Sequence, residues 1–198
     1  MDENNRRELL EGSLLDYCLR KEIKVPIDGI KIKRTIEGKP EIANLENVHF
    51  SISHTNTLYI CGVQEIELGL DIEDIEFKIA LGEESKGVIN NPGKKRFQAI
   101  AERFFANAER EYLKANGFNS FFEIWVRKEA FIKAKGTGIS EGLNKFSVVS
   151  NGKFINSIEG MHIDCLDLKY QLGDKNSKSI VGAYCSKLPL LVENVIQV

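Results

Sequence analysis

Gly69-Leu70-Asp71-Ile72-Glu73 alternates strictly between apolar and acidic residues. On a β-strand, successive side chains point to opposite faces. Leu70 and Ile72 are therefore expected in a core, with Asp71 and Glu73 projecting together on the other side. Two carboxylates one pleat apart repel each other unless a cation sits between them. Hard oxygen donors of this kind favour Mg²⁺ over zinc. An isolated Asp-x-Glu is more often the wet face of a strand, and that reading stands beside the metal reading.

Trp125, Lys128, Glu129, Ile132 and Lys133 make a second cluster within about two helical turns. Glu129 and Lys133 share a helix face at i, i+4, where they can simply pair with each other. Their flanks, Phe121, Phe122, Ala130, Phe131 and Ala134, are strongly apolar, so the charges are expected close to a buried surface. A lysine in such a place suits a phosphate group as a point charge. These clusters point to a magnesium-dependent enzyme acting on a phosphate-bearing substrate. His54 ends a run of alternation at Ser51-Ile52-Ser53-His54-Thr55 and has no second histidine at metal-ligand spacing. A structural role is the ordinary reading of such a residue.

The elements that must hold these groups read as follows. Leu9, Leu10, Leu14, Leu15, Cys18 and Leu19 form an apolar stripe at helical spacing over residues 6–20. Residues 30–36 suggest a short strand, and Gly38-Lys39-Pro40 a turn. Residues 48–75 read as a three-stranded meander with strands over 48–53, 57–63 and 68–75. A polar loop is expected over 78–95, then helices over 97–105, 107–115 and 120–135, the last stopped by Gly136-Thr137-Gly138. Further strands follow at 146–149, 154–158, 161–168 and 179–186. The class is α+β.

The 198 residues suffice for one generous domain or two small lobes. With 42% hydrophobic and 28% charged residues and a net charge of −2, the chain is ordinary for a globular protein. No overall basic field points to nucleic acid. The polar N-terminus is unlike a targeting peptide, and no apolar run suits a membrane span. Cys18, Cys61, Cys165 and Cys185 lack CxxC spacing and sit among apolar neighbours. Buried, reduced thiols in a cytoplasmic protein are expected.

In order along the chain, Gly38-Lys39-Pro40, Ser53-His54-Thr55, Gly69-Leu70-Asp71-Ile72-Glu73, Trp125-x-x-Lys128-Glu129-x-x-x-Lys133 and Gly136-Thr137-Gly138 resemble the 4′-phosphopantetheinyl transferases of the larger, surfactin-synthetase-activating type. Each motif is weak alone; five in the right order are specific. The resemblance covers residues 6–150. It implies two similar lobes with pseudo-twofold symmetry, each a small antiparallel sheet packed with helices, the active site lying in the cleft between them. The lobes are expected at 1–68 and 69–198.

It also implies an activity: transfer of 4′-phosphopantetheine from coenzyme A to a serine of an apo acyl or peptidyl carrier protein, with release of 3′,5′-ADP. Such a role belongs to fatty acid or secondary metabolite biosynthesis. Asp71, Glu73 and Glu129 would bind Mg²⁺. Lys133 would contact the phosphates, Ser53, His54 and Lys39 the 3′-phosphate end of coenzyme A, with Lys128 and Arg7 as further coenzyme contacts. Glu129 is the candidate base for the serine proton, directly or through a metal-bound water. A chain holding both lobes has no need to oligomerise to build the cleft. A basic patch, with Lys94, Lys95, Arg96, Arg103 and Arg110 as candidates, would meet an acidic carrier. A metal-dependent nucleotide or coenzyme A hydrolase, and a non-catalytic module binding coenzyme A or carrier protein, are the alternative readings.

Overall fold

The computed structural model describes residues 2–75, 92–138, 142–166, 168 and 180–188. The expected loop over 78–95 falls largely outside them. Helix α1 spans Glu3–Glu22, longer than the apolar stripe because the Asp2 carboxylate caps its first turn by accepting from the Asn5 amide at 2.8 Å. A hairpin follows, β1 (Ile32–Arg34) against β2 (Pro40–Ile42). Its turn is closed by the Thr35 amide donating to the Lys39 carbonyl at 2.9 Å.

Strands β3 (His49–His54) and β4 (Tyr59–Gln64) pair antiparallel, and α1 packs on them through Leu15, Leu19 and Phe50. The expected meander ends there. β5 (Leu68–Asp74) does not pair with β4; it pairs antiparallel with β10 (Ile180–Ser186), Asp71 opposite Ala183. Among the described strands the larger sheet runs β5-β10-β9-β8, with β8 at Ser157–Ile158 and β9 at Met161–Cys165. Local alternation identifies a strand but not its partner, and here the partner lies more than a hundred residues away.

β3 and β5 lie side by side and are joined by side chains. Ser51 and Ser53 face β5, and their hydroxyls accept from the backbone amides of Leu70 at 2.9 Å and Ile72 at 3.1 Å. Two amides on the outer edge of β5 are thereby satisfied without a ladder.

Helix α2 spans Pro92–Phe104, so it begins earlier than the apolar pattern suggests, with proline in its first turn where no amide is needed. α3 runs Asn107–Asn116 and α4 Ser120–Lys135, both close to expectation. The strand expected at 146–149 is only the short β6 (Val149–Ser150), which pairs with β7 (Lys153–Phe154). α4 is apolar nearly all round, with Phe121, Phe122, Ile124, Val126 and Phe131 at 2% exposure or less, and it forms the centre of the main core. It ends at Gly136, which takes a left-handed conformation and returns its amide to the Ile132 carbonyl at 2.8 Å. Among the described residues no helix is long and apolar enough to cross a membrane.

α4 lies directly on the odd-numbered face of β5. A β-carbon at Gly69 would fall 1.9 Å from the Ala130 carbonyl oxygen and 2.4 Å from the Ala134 nitrogen. Helix backbone and strand backbone touch there, and only a hydrogen at position 69 allows it. Gly69→Ala should lower stability by about 3 kcal/mol or more, beyond ordinary overpacking because backbone must move. Urea unfolding of the purified variant, or its failure to accumulate in soluble form, measures this.

Candidate active site

Positions 69, 71 and 73 share one face of β5. Gly69 lets α4 in, and Asp71 and Glu73 continue along the same face. Glu129 and Lys133 each precede one of the two alanines that rest on Gly69, so they sit about 100° round the helix from that contact. The strand and the helix thus bring the three carboxylates and Lys133 to the wall of one cavity of about 720 Å³. β3 adds Ser53 and His54, α1 adds Glu11, and the β1–β2 hairpin adds Lys39.

Asp71 is 7% exposed, far from the wet strand face that a lone Asp-x-Glu suggests. Its Oδ1 accepts from Lys133 Nζ at 2.7 Å and from Ser53 Oγ at 3.0 Å. Ser53 therefore accepts from β5 backbone and donates to the β5 carboxylate at once, which fixes its hydroxyl proton. Lys39 reaches across from the hairpin and donates to the Ala134 carbonyl at 3.2 Å, near the C-terminus of α4. Burial holds its ammonium below the ordinary lysine range. His54 stacks on Tyr59, and its Nδ1 lies 3.3 Å from Glu11 Oε1. Arg7 does not line the cavity; its charge is felt at His54.

Glu129 has a strongly raised proton affinity. Burial raises it to about 7, the negative charges of Asp71 and Glu73 add to that, and Lys133 opposes it. Its Oε1 is buried with no hydrogen-bond partner among the described residues. Hard oxygen donors around an orphaned carboxylate oxygen suit a magnesium ion. As the side chains stand, no three acidic, histidine or cysteine residues among those described are grouped closely enough to hold a metal. Lys133, itself on the cavity wall, already supplies a cation to Asp71.

Lys128 is placed elsewhere. The expectation that it contacts the coenzyme is corrected by its position: it is 0% exposed and faces away from the cavity. Its Nζ donates to both oxygens of Glu109, at 2.7 and 2.8 Å, and to the Phe146 carbonyl at 2.8 Å, which uses all three of its protons. Burial lowers its proton affinity and Glu109 opposes that. Glu109, also 0% exposed, further accepts from the amides of Ala106 at 2.7 Å and Val148 at 2.8 Å. The pair ties α3, α4 and the segment before β6 into one unit. Sequence reading missed Glu109, whose only local signal is an acid at the third position of a helix, and missed Glu11, which lies one helical turn after Arg7.

The cysteines differ from expectation too. All four are free thiols, but only Cys185 is buried; Cys18 and Cys61 are half-buried and Cys165 is exposed. Of the expected basic patch, Lys95 and Arg96 are exposed on α2, and Arg110 is drawn to Glu102 at 3.7 Å.

Two outcomes test this description. Lys128→Met leaves a buried carboxylate without its cation and should cost about 3–5 kcal/mol. Adding Glu109→Gln to that variant should recover part of the loss in urea unfolding. Glu129 supplies the other test. Between about 4.5 and about 7 the folded chain keeps a proton on Glu129 that the unfolded chain has lost. That contribution to stability is fully present below the unfolded value and disappears as pH rises through the folded one. The urea midpoint of the native chain should therefore fall more steeply across this window than that of Glu129→Gln.

A family model described as the 4′-phosphopantetheinyl transferase superfamily matches residues 67–185. Among curated proteins, the chain is 28% identical to the 4′-phosphopantetheinyl transferase psf-1 of Bacillus pumilus, over 96% of this chain and 75% of that protein. It is 28% identical to the 4′-phosphopantetheinyl transferase Sfp of Bacillus subtilis strain 168, over 92% of this chain and 76% of that protein. The 4′-phosphopantetheinyl transferase gsp of Aneurinibacillus migulanus is 31% identical over 73% of this chain and 54% of its own length.

Proposed function

The chain belongs to the 4′-phosphopantetheinyl transferase superfamily, and from that premise we propose that its cavity transfers phosphopantetheine from coenzyme A to a serine of an apo carrier protein, releasing 3′,5′-ADP. The observation that carries this reading is the meeting of Asp71, Glu73, Glu129 and Lys133 on the wall of one cavity. That set suits a diphosphate: a cationic side chain for its oxygens, and hard oxygen donors for a magnesium ion.

Asp71, Glu73 and Glu129 would hold the Mg²⁺, which when bound offsets charge on the diphosphate. Lys133 moves from Asp71 to the diphosphate and stabilises the leaving 3′,5′-ADP. Lys39, Ser53 and His54 hold the 3′-phosphate end. The carrier serine oxygen forms a bond to the β-phosphorus as the bond to the bridging oxygen of the diphosphate breaks. A serine hydroxyl is a weak nucleophile near neutrality and must lose its proton. Glu129, on the cavity wall, is the candidate to take that proton, a role open to it only while it is not itself a tight metal ligand. Most of the rate then comes from positioning and electrostatics.

The two-lobe reading, 1–68 and 69–198, is supported by β5 leaving the β3–β4 hairpin to pair with β10. Each sheet is antiparallel and carries a helix, α1 on one and α4 on the other, as a pseudo-twofold pair of lobes would. A monomeric enzyme is consistent with a cavity whose described walls all come from one chain.

Incubation with apo carrier protein, coenzyme A and Mg²⁺ should add one phosphopantetheine arm to the carrier, read by intact-protein mass spectrometry. Asp71→Ala should abolish the gain while leaving thermal unfolding cooperative. Coenzyme A consumed without a gain in carrier mass would show a hydrolase instead. No consumption across acyl and peptidyl carriers would sink the enzymatic reading.

A further inference from the structure

His54 is held on two sides. Its ring stacks on Tyr59 with centroids 5.3 Å apart and planes within 15°, and Glu11 Oε1 stands 3.3 Å from Nδ1. Among the described residues Nε2 has no polar partner. Both Glu11 and His54 line the cavity. The 3.3 Å approach is an ion-pair distance, and a carboxylate there favours the ring proton on Nδ1, with Nε2 left for whatever enters.

Glu11 also acts on the charge of the ring. Burial holds His54 below the ordinary histidine range, with Arg7 and Lys133 acting the same way. Glu11 is the largest opposing influence, ahead of Asp71. A dianion approaching Nε2 favours the charged ring, and the carboxylate behind the ring acts in the same direction.

Resting on the transferase reading above, we propose that Glu11 is a positioning residue for the 3′-phosphate of coenzyme A. It holds His54 with Nδ1 engaged and Nε2 toward the cavity, completing a carboxylate–imidazolium–phosphate chain. Glu11 touches neither the diphosphate nor the attacking serine. Its effect is confined to donors that carry the 3′-phosphate.

The test compares coenzyme A with 3′-dephospho-coenzyme A as donors for the native chain, Glu11→Ala and Glu11→Gln. Glu11 is partly exposed, at 31% of its side chain, so both variants should fold. Losing a charge-assisted contact predicts about a tenfold fall in kcat/KM for coenzyme A in Glu11→Ala, carried by KM, with dephospho-coenzyme A unchanged. Glu11→Gln, which keeps an acceptor oxygen without the charge, should fall between. Equal losses with both donors, or no loss with either, would overturn the proposal. If the native chain transfers from neither donor, the transferase reading fails. Titration calorimetry of the two donors then decides the role of Glu11: a loss of affinity confined to coenzyme A supports it, and parallel affinities refute it.

Discussion

The site depends on a contact with no side chain in it. Where β5 meets α4, Gly69 lies against the backbone of Ala130 and Ala134, and a single β-carbon there would overlap a carbonyl oxygen. That contact brings the helix axis as near to the strand as two backbones allow. One pleat further along β5, Asp71 is close enough for Lys133 to reach it at 2.7 Å. Any larger residue at position 69 would push the helix outward and carry Glu129 and Lys133 with it. The chemistry is thus set by a packing distance before it is set by charge.

α4 then faces two different electrostatic problems with adjacent residues. Lys128 points into the core, where its charge is matched by Glu109 and every donor is used. Glu129, next in sequence, points toward the cavity with an oxygen left unmatched. The first arrangement is closed and anchors the helix. The second is open and leaves a carboxylate whose protonation depends on what enters. A buried pair of this kind contributes little net stability but is costly to break from one side, which suits an anchor for a helix that must not rotate.

Much of this was legible in the sequence. Period-two alternation located β3 and β5 and a continuous apolar run located β4, each within a residue or two, and the end of α4 was marked by Gly136. The carboxylates, Lys133, Lys39, Ser53 and His54 all line the cavity. What failed were questions of partnership. β5 looked like the third strand of a meander because alternation reports a face and not a neighbour. Lys128 looked like a phosphate contact because it belongs to the same motif as Glu129, and nothing local says that Glu109, 19 residues earlier, absorbs it. Glu11 was invisible for the same reason: its partner sits on a strand, beyond any periodic signal of α1.

The serine seam between β3 and β5 has a mechanical consequence. Walls of the cavity belong to two sheets that, among the described strands, share no backbone ladder. Their polar junction is made by the hydroxyls of Ser51 and Ser53 and by Gln64 donating to Ser186 at 2.6 Å, over an apolar cluster of Leu58, Ile60, Leu70 and Ile72. Each such bond is worth about 1 kcal/mol net, and a hydroxyl can follow its partner by rotating about one side-chain bond. Along this seam side chains take the place of a ladder, so the two strands can shift relative to each other without breaking a backbone pair. Ser53 also holds Asp71, and a shift across the seam therefore turns the carboxylate as it moves the wall.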